Sequence, residues 1–528
     1  MNFFNKPKAS KKKKEESSHR DQDKTYKNLR LTKDIEENIT QIRNALNNSW
    51  DIRERKLTVG SVGIQAAVIF VTTLVNEEII QESIVKPLMV EDSVIIKGSK
   101  EKVNLQVIKN SLVSTSTIEE ADTFDEIILE VLSGSTVILF EGYAQGLLVG
   151  TQKLVGRSIG EPKMEPSVKG PKESFVENLQ ENLGLIRKRV KDPNLTFEAH
   201  KIGRRSKNDA IIIHIKGIAQ EEMVKEVRNR MKRIDIDDGV SSYQVSHLIS
   251  DNPNSIFPLI QITERPDKVI PALMEGRVGI VVEGTPDVIL VPVSLPMLLQ
   301  SVDDYYEKWI IGSIIRFTRY CAFFISALLP SLYIALTSFH PGILPTNIVL
   351  SIAGTRTGVP FPAFIEALLM TVILEILQEA GIRLPRVVGQ TVSIVGGLVI
   401  GQAAVQAGVI SPVMVIVIAI TAISSFTLPD YSLNFATRVL RIPFLIIATM
   451  FGTVGTSIGL LALLGYVCSQ ESFGVGYLEP LTPYRIRDWK DSVLRGPQKI
   501  FGKRPEFLNP DDTQRQIIQK GDDDNESN

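Results

Sequence analysis

Three glutamates, Glu366, Glu375 and Glu379, stand inside the otherwise apolar run Pro360–Ala380. A carboxylate in hydrocarbon is costly, so each must face protein, water or a counter-charge. On a helix, Glu375 and Glu379 lie about 40° apart and Glu366 about 180° from Glu375. Acid therefore occupies two opposite faces. In one reading, one face lines an aqueous path, where carboxylates concentrate cations, and the other meets a neighbouring helix or subunit. In the other, the helix lies at an interface or pairs its acids with Arg383 and Arg386. Downstream, Thr391 and Gln402 fall within about 20° of each other, with Gln406 about 40° beyond Gln402. That polar stripe suits a pore lining or an interhelical hydrogen-bond seam, and Gly397–Gly401 is a packing pair of the latter kind.

Other chemistry is sparse. Five histidines and two cysteines, Cys321 and Cys468, form no CxxC or HExxH spacing, so neither a metal site nor a disulfide is expected. Glu264, Arg265 and Asp267 cluster, but no nucleophile–base pair accompanies them. They read better as a salt-bridged turn than as a catalytic group. No GxGxxG or P-loop occurs, and no cofactor or nucleic-acid partner is expected.

The elements that must position these residues divide sharply by charge. Over 528 residues the formal net charge is −1 and the mean hydropathy +0.08, values typical of a soluble protein. Yet Tyr320–Thr355, Val387–Pro429 and Ile442–Gln470 contain no Lys, Arg, Asp or Glu. About 20 apolar residues span a bilayer, and a soluble surface rarely leaves such runs uncharged. The expected fold is a multi-domain membrane protein, with an α/β cytoplasmic N-terminal region of two subdomains followed by an α-helical transmembrane bundle.

Residues 1–28 read as a disordered basic tail without an apolar signal region. A first α/β subdomain is expected over 29–160, opening on a helix with Leu31, Ile35, Ile39, Ile42 and Leu46 at helical spacing. Val59–Val75 and Ser135–Phe140 suggest buried strands. Residues 161–172 form a linker, and 173–300 a second α/β subdomain. There Glu173–Val190 and Gln220–Ile234 read as helices, Asp209–Gly217 as a strand, and Val278–Val282 and Val288–Val291 as a hairpin around Glu283-Gly284-Thr285-Pro286-Asp287. Arg187-Lys188-Arg189 and Arg204-Arg205 suit a solvated surface or anionic lipid. No internal repeat is visible.

The transmembrane domain is expected over 301–484, with a cytoplasmic polar tail at 485–528. Arg316 and Arg319 before the first span, and Arg438 and Arg441 before the last, mark cytoplasmic edges under the positive-inside rule. Spans are expected at Tyr320–Phe339, Val387–Ala407, Pro412–Leu428 and Ile442–Cys468, with a turn at His340-Pro341-Gly342. A cytoplasmic tail requires an even count. Either Pro360–Ala380 does not cross or Phe473–Pro483 re-enters, leaving four to six spans.

Several segments together resemble one family. In the soluble half these are Glu161-Pro162, Gly170-Pro171-Lys172-Glu173, Asn182-Leu183-Gly184-Leu185-Ile186-Arg187 and Thr263-Glu264-Arg265-Pro266-Asp267. Glu275-Gly276-Arg277, Glu283-Gly284-Thr285-Pro286 and Asp303-Asp304-Tyr305-Tyr306 complete that half. In the apolar half they are Pro360-Phe361-Pro362, Glu366-Ala367-Leu368, Glu375-Ile376-Leu377-Gln378-Glu379-Ala380-Gly381 and Gly401-Gln402-Ala403-Ala404-Val405. Gly389-Gln390, Ser393-Ile394-Val395-Gly396, Ser411-Pro412 and Thr421-Ala422-Ile423 follow the same order. From roughly Leu29 to Pro483 the chain resembles the A subunits of GerA-type spore germinant receptors of endospore-forming bacteria. It departs at Ile373, Gln378 and Thr371, the last standing where a second acid is common.

The resemblance implies a multi-pass subunit of the inner spore membrane that acts with a permease-like B subunit and a lipoprotein C subunit. It also implies a homo-oligomeric assembly that releases monovalent cations when a germinant binds. A similar paralogue group is encoded with the dipicolinate-channel proteins. A non-conducting scaffold that relays the B subunit's signal is the alternative class. A transporter with duplicated halves and an enzyme fit less well.

Overall fold

The computed structural model describes residues 29–59, 63–90, 118–153, 160–162, 164–239, 241–383, 399–485, 487–497 and 500–516. The expected N-terminal tail and most of the span expected at Val387–Ala407, with Thr391, lie outside them. The chain divides into two compact units. One takes Met1–Ser250, Ile260–Pro292 and Phe501–Asn528, the other Asp251–Leu259 and Val293–Ile500.

The first unit holds two five-stranded antiparallel sheets. Helix α1 (Ile35–Ala45) begins at Asp34, whose carboxylate accepts from the Glu36 and Glu37 amides, and it carries acid in its first turn and Arg43 in its last. Strands β1 (Ile52–Val59), β2 (Ile64–Val71), β3 (Ile118–Ala121), β4 (Ser135–Phe140) and β5 (Gly146–Gly150) run β1-β2-β4-β5-β3 across the sheet. Side chains alternate as the pleat dictates. Ala67, Ile69, Val137 and Leu139 pack under α1 and helix α2 (Phe124–Val131). Ala66, Val68, Ile138 and Phe140 pack under the helical run from Glu77 to Val90 on the opposite face.

The second sheet repeats this plan. Helix α3 (Leu179–Arg189) leads into β6 (Leu195–Ile202) and β7 (Asn208–Ile215). Helices α4 (Glu221–Arg233) and α5 (Ser242–Ile249), β8 (Gln261–Thr263), α6 (Pro266–Glu275), β9 (Val278–Val282) and β10 (Val288–Val291) follow. The order β6-β7-β9-β10-β8 is that of the first sheet.

Individual hydrogen bonds repeat as well. Gly142 donates to the Lys33 carbonyl at 2.9 Å and Gly284 to that of Glu177 at 3.0 Å. Glu141 donates to Gln65 and Glu283 to Asp209, both at 2.9 Å. Buried Asn38 clamps both backbone groups of Thr32, at 2.8 and 3.0 Å, and buried Asn182 those of Val176, at 2.5 and 2.8 Å. Gly134 and Gly276, Glu141 and Glu283, and Gly142 and Gly284 are each 142 residues apart. The two sheets of the first unit are therefore a tandem repeat, correcting the absence of one in the sequence reading. What persists is Gly134 and Gly276 at φ near +100°, and the Glu-Gly turn with Gly142 and Gly284 at positive φ, which L side chains rarely adopt. The strands between them have diverged within the apolar alphabet, which preserves a core without preserving identity.

At the hairpin, β10 pairs antiparallel with β9, Val288 opposite Val281, on the segments named from sequence. Helix α3 starts at Leu179, not Glu173, because Asn178 supplies the N-cap by accepting from Glu181. Within the stretch read as a polar tail, Phe507 and Leu508 are buried, and Arg504 donates to the Met274 carbonyl at 2.7 Å.

The second unit is helical. Helix α7 (Trp309–Ile334) continues through a π turn at Ala335–Phe339 and stops at His340-Pro341. Helices α8 (Thr346–Arg356), α9 (Ala363–Arg383), α10 (Pro412–Phe426) and α11 (Tyr431–Cys468) follow, then the ribbon β11 (Glu471–Ser472) and β12 (Val475–Gly476). By length and composition, Trp309–Phe339 and Tyr431–Cys468 could each cross a membrane, whereas α10 has 15 residues. At 1.5 Å per residue α11 is about 57 Å long, nearly twice a hydrocarbon core. It kinks at Gly452 (φ 60°), where a Cβ would lie 2.8 Å from the Phe339 side chain. Two apolar cores hold the unit, one around Phe257, Phe323, Leu433 and Tyr477, the other around Tyr333, Ala367, Met414 and Leu445.

Candidate functional site

The three acids of α9 have three different settings. Glu366 is 1% exposed. One of its oxygens accepts from the Ser411 amide at 2.8 Å, at the start of α10, where free amides and the helix dipole favour an anion. The other faces Arg356 Nη2 of α8 at 3.3 Å. Glu375 lies between two arginines of α11. Arg438 Nε donates to it at 2.8 Å and Nη2 closes on the same oxygen, while Arg441 Nη1 stands 3.5 Å from the other. Arg441 Nε also donates to the Ser326 carbonyl of α7 at 3.1 Å, so this pair ties α9, α11 and α7 together. Glu379 is exposed and pairs with Arg383 one turn on, at 2.7 Å.

Glu366 points into the bundle, and Glu379 stands at the end of an outward stripe with Leu369, Val372 and Ile376. Gln378, between them, is buried and donates to Ser425 Oγ of α10 at 3.3 Å. Gln402, in a short helical stretch before α10, is exposed, and Thr391 lies outside the described residues. The pairing of Glu379 with Arg383 is the counter-charge foreseen from sequence, whereas Arg356, Arg438 and Arg441 were missed as partners. The available signal was the arginine itself. An arginine one helix turn from another, inside an apolar helix, demands an acid from elsewhere in the bundle.

Arg316 and Arg319 were read as markers of a cytoplasmic edge. The structure buries both. Arg319 grips Asp304 at 2.5 and 2.7 Å, and Arg316 reaches Asp304 at 3.2 Å and Asp491 at 2.9 Å. Cys321 and Cys468 are free and exposed. Among the described residues no group of His, Cys, Asp and Glu could hold a metal ion.

In the first unit Glu264, Arg265 and Asp267 form a salt-bridged turn. Arg265 pairs with Asp267 at 2.7 Å and donates to the carbonyls of Glu165 and Pro171, pinning the linker, while Glu264 accepts from the Met164 and Glu165 amides. Beside it, burial pushes the Asp287 carboxyl up to about 6, reinforced by the charges of Glu264 and Glu165. Elsewhere on the second sheet Glu198 falls to about 2, because hydrogen bonds and charge from Arg228 and His214 outweigh the opposing effect of its burial.

The family model for Bacillus/Clostridium GerA spore germination proteins matches residues 40–507. Spore germination protein KA of Bacillus subtilis is 39% identical over 487 residues, covering 92% of this chain and 89% of its own. Spore germination protein B1 of the same organism is 38% identical over 488 residues, covering 92% of this chain and all of its own. Spore germination protein GerLA of Bacillus cereus is 36% identical over 485 residues, 92% of this chain and 98% of its own. Among solved structures, the N-terminal domain of the A subunit of the Bacillus megaterium spore germinant receptor GerK3 matches with 32% identity and a TM-score of 0.39, covering 50% of this chain and 96% of that one. With a family model spanning most of its length and relatives this similar end to end, the chain belongs to the GerA family of spore germination proteins.

Proposed function

We propose that the chain is the membrane-embedded A-type subunit of a nutrient germinant receptor and that, as a homo-oligomer, it conducts monovalent cations to trigger germination. Its partners are a permease-like B subunit and a lipoprotein C subunit, and its site is the inner membrane of the spore. In this reading α7, α9, α10 and α11 belong to a transmembrane bundle of four to six spans, with the tandem α/β unit in the cytoplasm. The observation that carries it is Glu375 between Arg438 and Arg441. Charges set within long apolar helices are expensive and mark an ion path or its gate. Glu366 forms the inner acid of that path, and Glu379 and Gln402 its outer polar lining.

A second reading, a non-conducting scaffold that relays the B subunit's signal, draws on one fact. Each acid of α9 has an arginine partner within the chain. Potassium release from germinating spores separates the two. Glu366→Gln and Glu375→Gln, with release normalised to the abundance of all subunits, change the rate or selectivity of release under the conducting reading. Parental release in both, with a defect only on deletion of the chain, establishes the scaffold.

A further inference from the structure

Helix α8 is unusual in the second unit, because none of its side chains is buried. Ile348 and Leu350 are exposed, and Val349, Ile352 and Arg356, on one face, are half-buried. A helix this shallowly packed gains little from apolar burial. Its directional tie is the contact of Arg356 Nη2 with Glu366 at 3.3 Å, and that tie is imperfect. Arg356 Nε has no hydrogen-bond partner within the protein, and neither has Glu366 Oε1.

Two more polar groups of the same pocket share this condition. Ser411 Oγ, on a residue 0% exposed, and the Tyr333 hydroxyl, on one 8% exposed, lie beside each other and reach no further hydrogen-bond partner within the protein. Tyr333 belongs to the core packed around Ala363, Ala367, Ile410 and Met414, and it interacts electrostatically with Arg356 and Glu366. Buried polar groups are nearly always satisfied, and a set left unsatisfied together implies a water or an ion. Here three oxygens, one of them a carboxylate, are supplied by α7, α9 and the start of α10, with Ser411 linked to both Tyr333 and Glu366. Oxygen donors of this kind suit a hard cation. A single carboxylate balances one positive charge, so a divalent ion would leave an uncompensated charge among apolar side chains.

We propose that Glu366 Oε1, Ser411 Oγ and Tyr333 OH form a site for a partly dehydrated alkali cation. Arg356 is its tethered competitor, so cation entry displaces the guanidinium and frees α8. The Ser411 amide keeps the carboxylate oriented in both states. This rests on the conducting reading for its role but not for its test. The site is defined by binding and by the position of α8, and both are measurable whether or not ions pass.

The experiment uses the full chain with its partner subunits in vesicles, Cys321 and Cys468 replaced by alanine, and Ile352→Cys, on the half-buried face of α8, as the reporter. The maleimide labelling rate is compared in potassium and in choline at equal ionic strength. The native tether gives faster labelling in potassium. Arg356→Gln labels about tenfold faster than its parent in choline, the factor for loss of a contact worth about 1.4 kcal/mol. Tyr333→Phe, which preserves the core, weakens the potassium response without altering the choline rate. Equal rates in potassium and choline, with Arg356→Gln unchanged, overturn the proposal. A potassium-dependent rate in vesicles that show no flux retains the site and defeats conduction instead.

Discussion

Arg187 and Asp51 meet at the seam between the two α/β repeats, Nη2 to Oδ1 at 3.0 Å, with both side chains buried. Arg187 comes from α3 of the second repeat and Asp51 precedes β1 of the first. The guanidinium also donates to Ser49 Oγ at 3.1 Å and the Leu195 carbonyl at 2.9 Å, and it stacks 4.5 Å from the Phe197 ring centroid. Planar geometry and multiple donors explain why arginine, not lysine, fills this place. Removing one member strands a buried charge, so Asp51→Asn or Arg187→Met should destabilise the first unit by about 3–5 kcal/mol. Chemical denaturation of the purified chain, followed by Trp50 fluorescence, measures this. Unchanged midpoints contradict it.

The same seam fixes a second prediction. A Cβ at Gly184 would lie 2.6 Å from the Thr73 carbonyl oxygen, a backbone atom that cannot swing aside. Gly184→Ala should therefore cost about 1–3 kcal/mol despite alanine's better helix propensity. A melting temperature at or above the native one would show that the seam is loose.

Asp287 gives a pH dependence with a definite sign. Its carboxyl is pushed from 3.8 up to about 6 in the folded state, so the fold favours the protonated form. Its contribution is fully present below pH about 4 and is lost as pH rises through about 6. The native chain should lose stability across this window relative to Asp287→Asn, by about 1–2 kcal/mol after solvent screening. Parallel pH profiles for the two proteins would refute the assignment. Glu198 acts oppositely, its stabilising pairing with Arg228 fading only as pH falls through the range below 4.5.

In the helical unit, Glu375→Gln leaves Arg438 and Arg441 facing each other without their acid, and assembly in the membrane should fall. Adding Arg438→Gln should restore part of it, because the pair is coupled. Membrane abundance of the single and double variants is the readout. Additive losses would mean that the contact contributes nothing.

How much of this was legible varied with range. The β9–β10 hairpin and α1 could be placed from sequence because turn chemistry and apolar period are local signals. The repeat is hard to see in sequence because its identities are scattered: besides the Glu-Gly turns and paired glycines, Ile138 and Ile280, Leu148 and Leu290, and Val149 and Val291 match, while the core positions between them exchange. The acids of α9 stood out as costly, but the arginine that answers Glu375 lies 63 residues away. Arg316 and Arg319 pointed to a membrane edge by composition. Their burial against Asp304 depends on a turn that sequence period does not reveal.

The central claim is that α9 borders a cation path, and Glu379 offers the cleanest test because its exposed side chain can change without stranding a buried partner. Vesicles carrying the chain with the proposed B-type and C-type partners would be used to measure reversal potential under a potassium chloride gradient. The account predicts cation-selective flux in the native protein and a clear loss of that selectivity in Glu379→Lys at equal protein content. An unchanged reversal potential with unchanged flux would remove α9 from the ion path and leave the scaffold reading in its place.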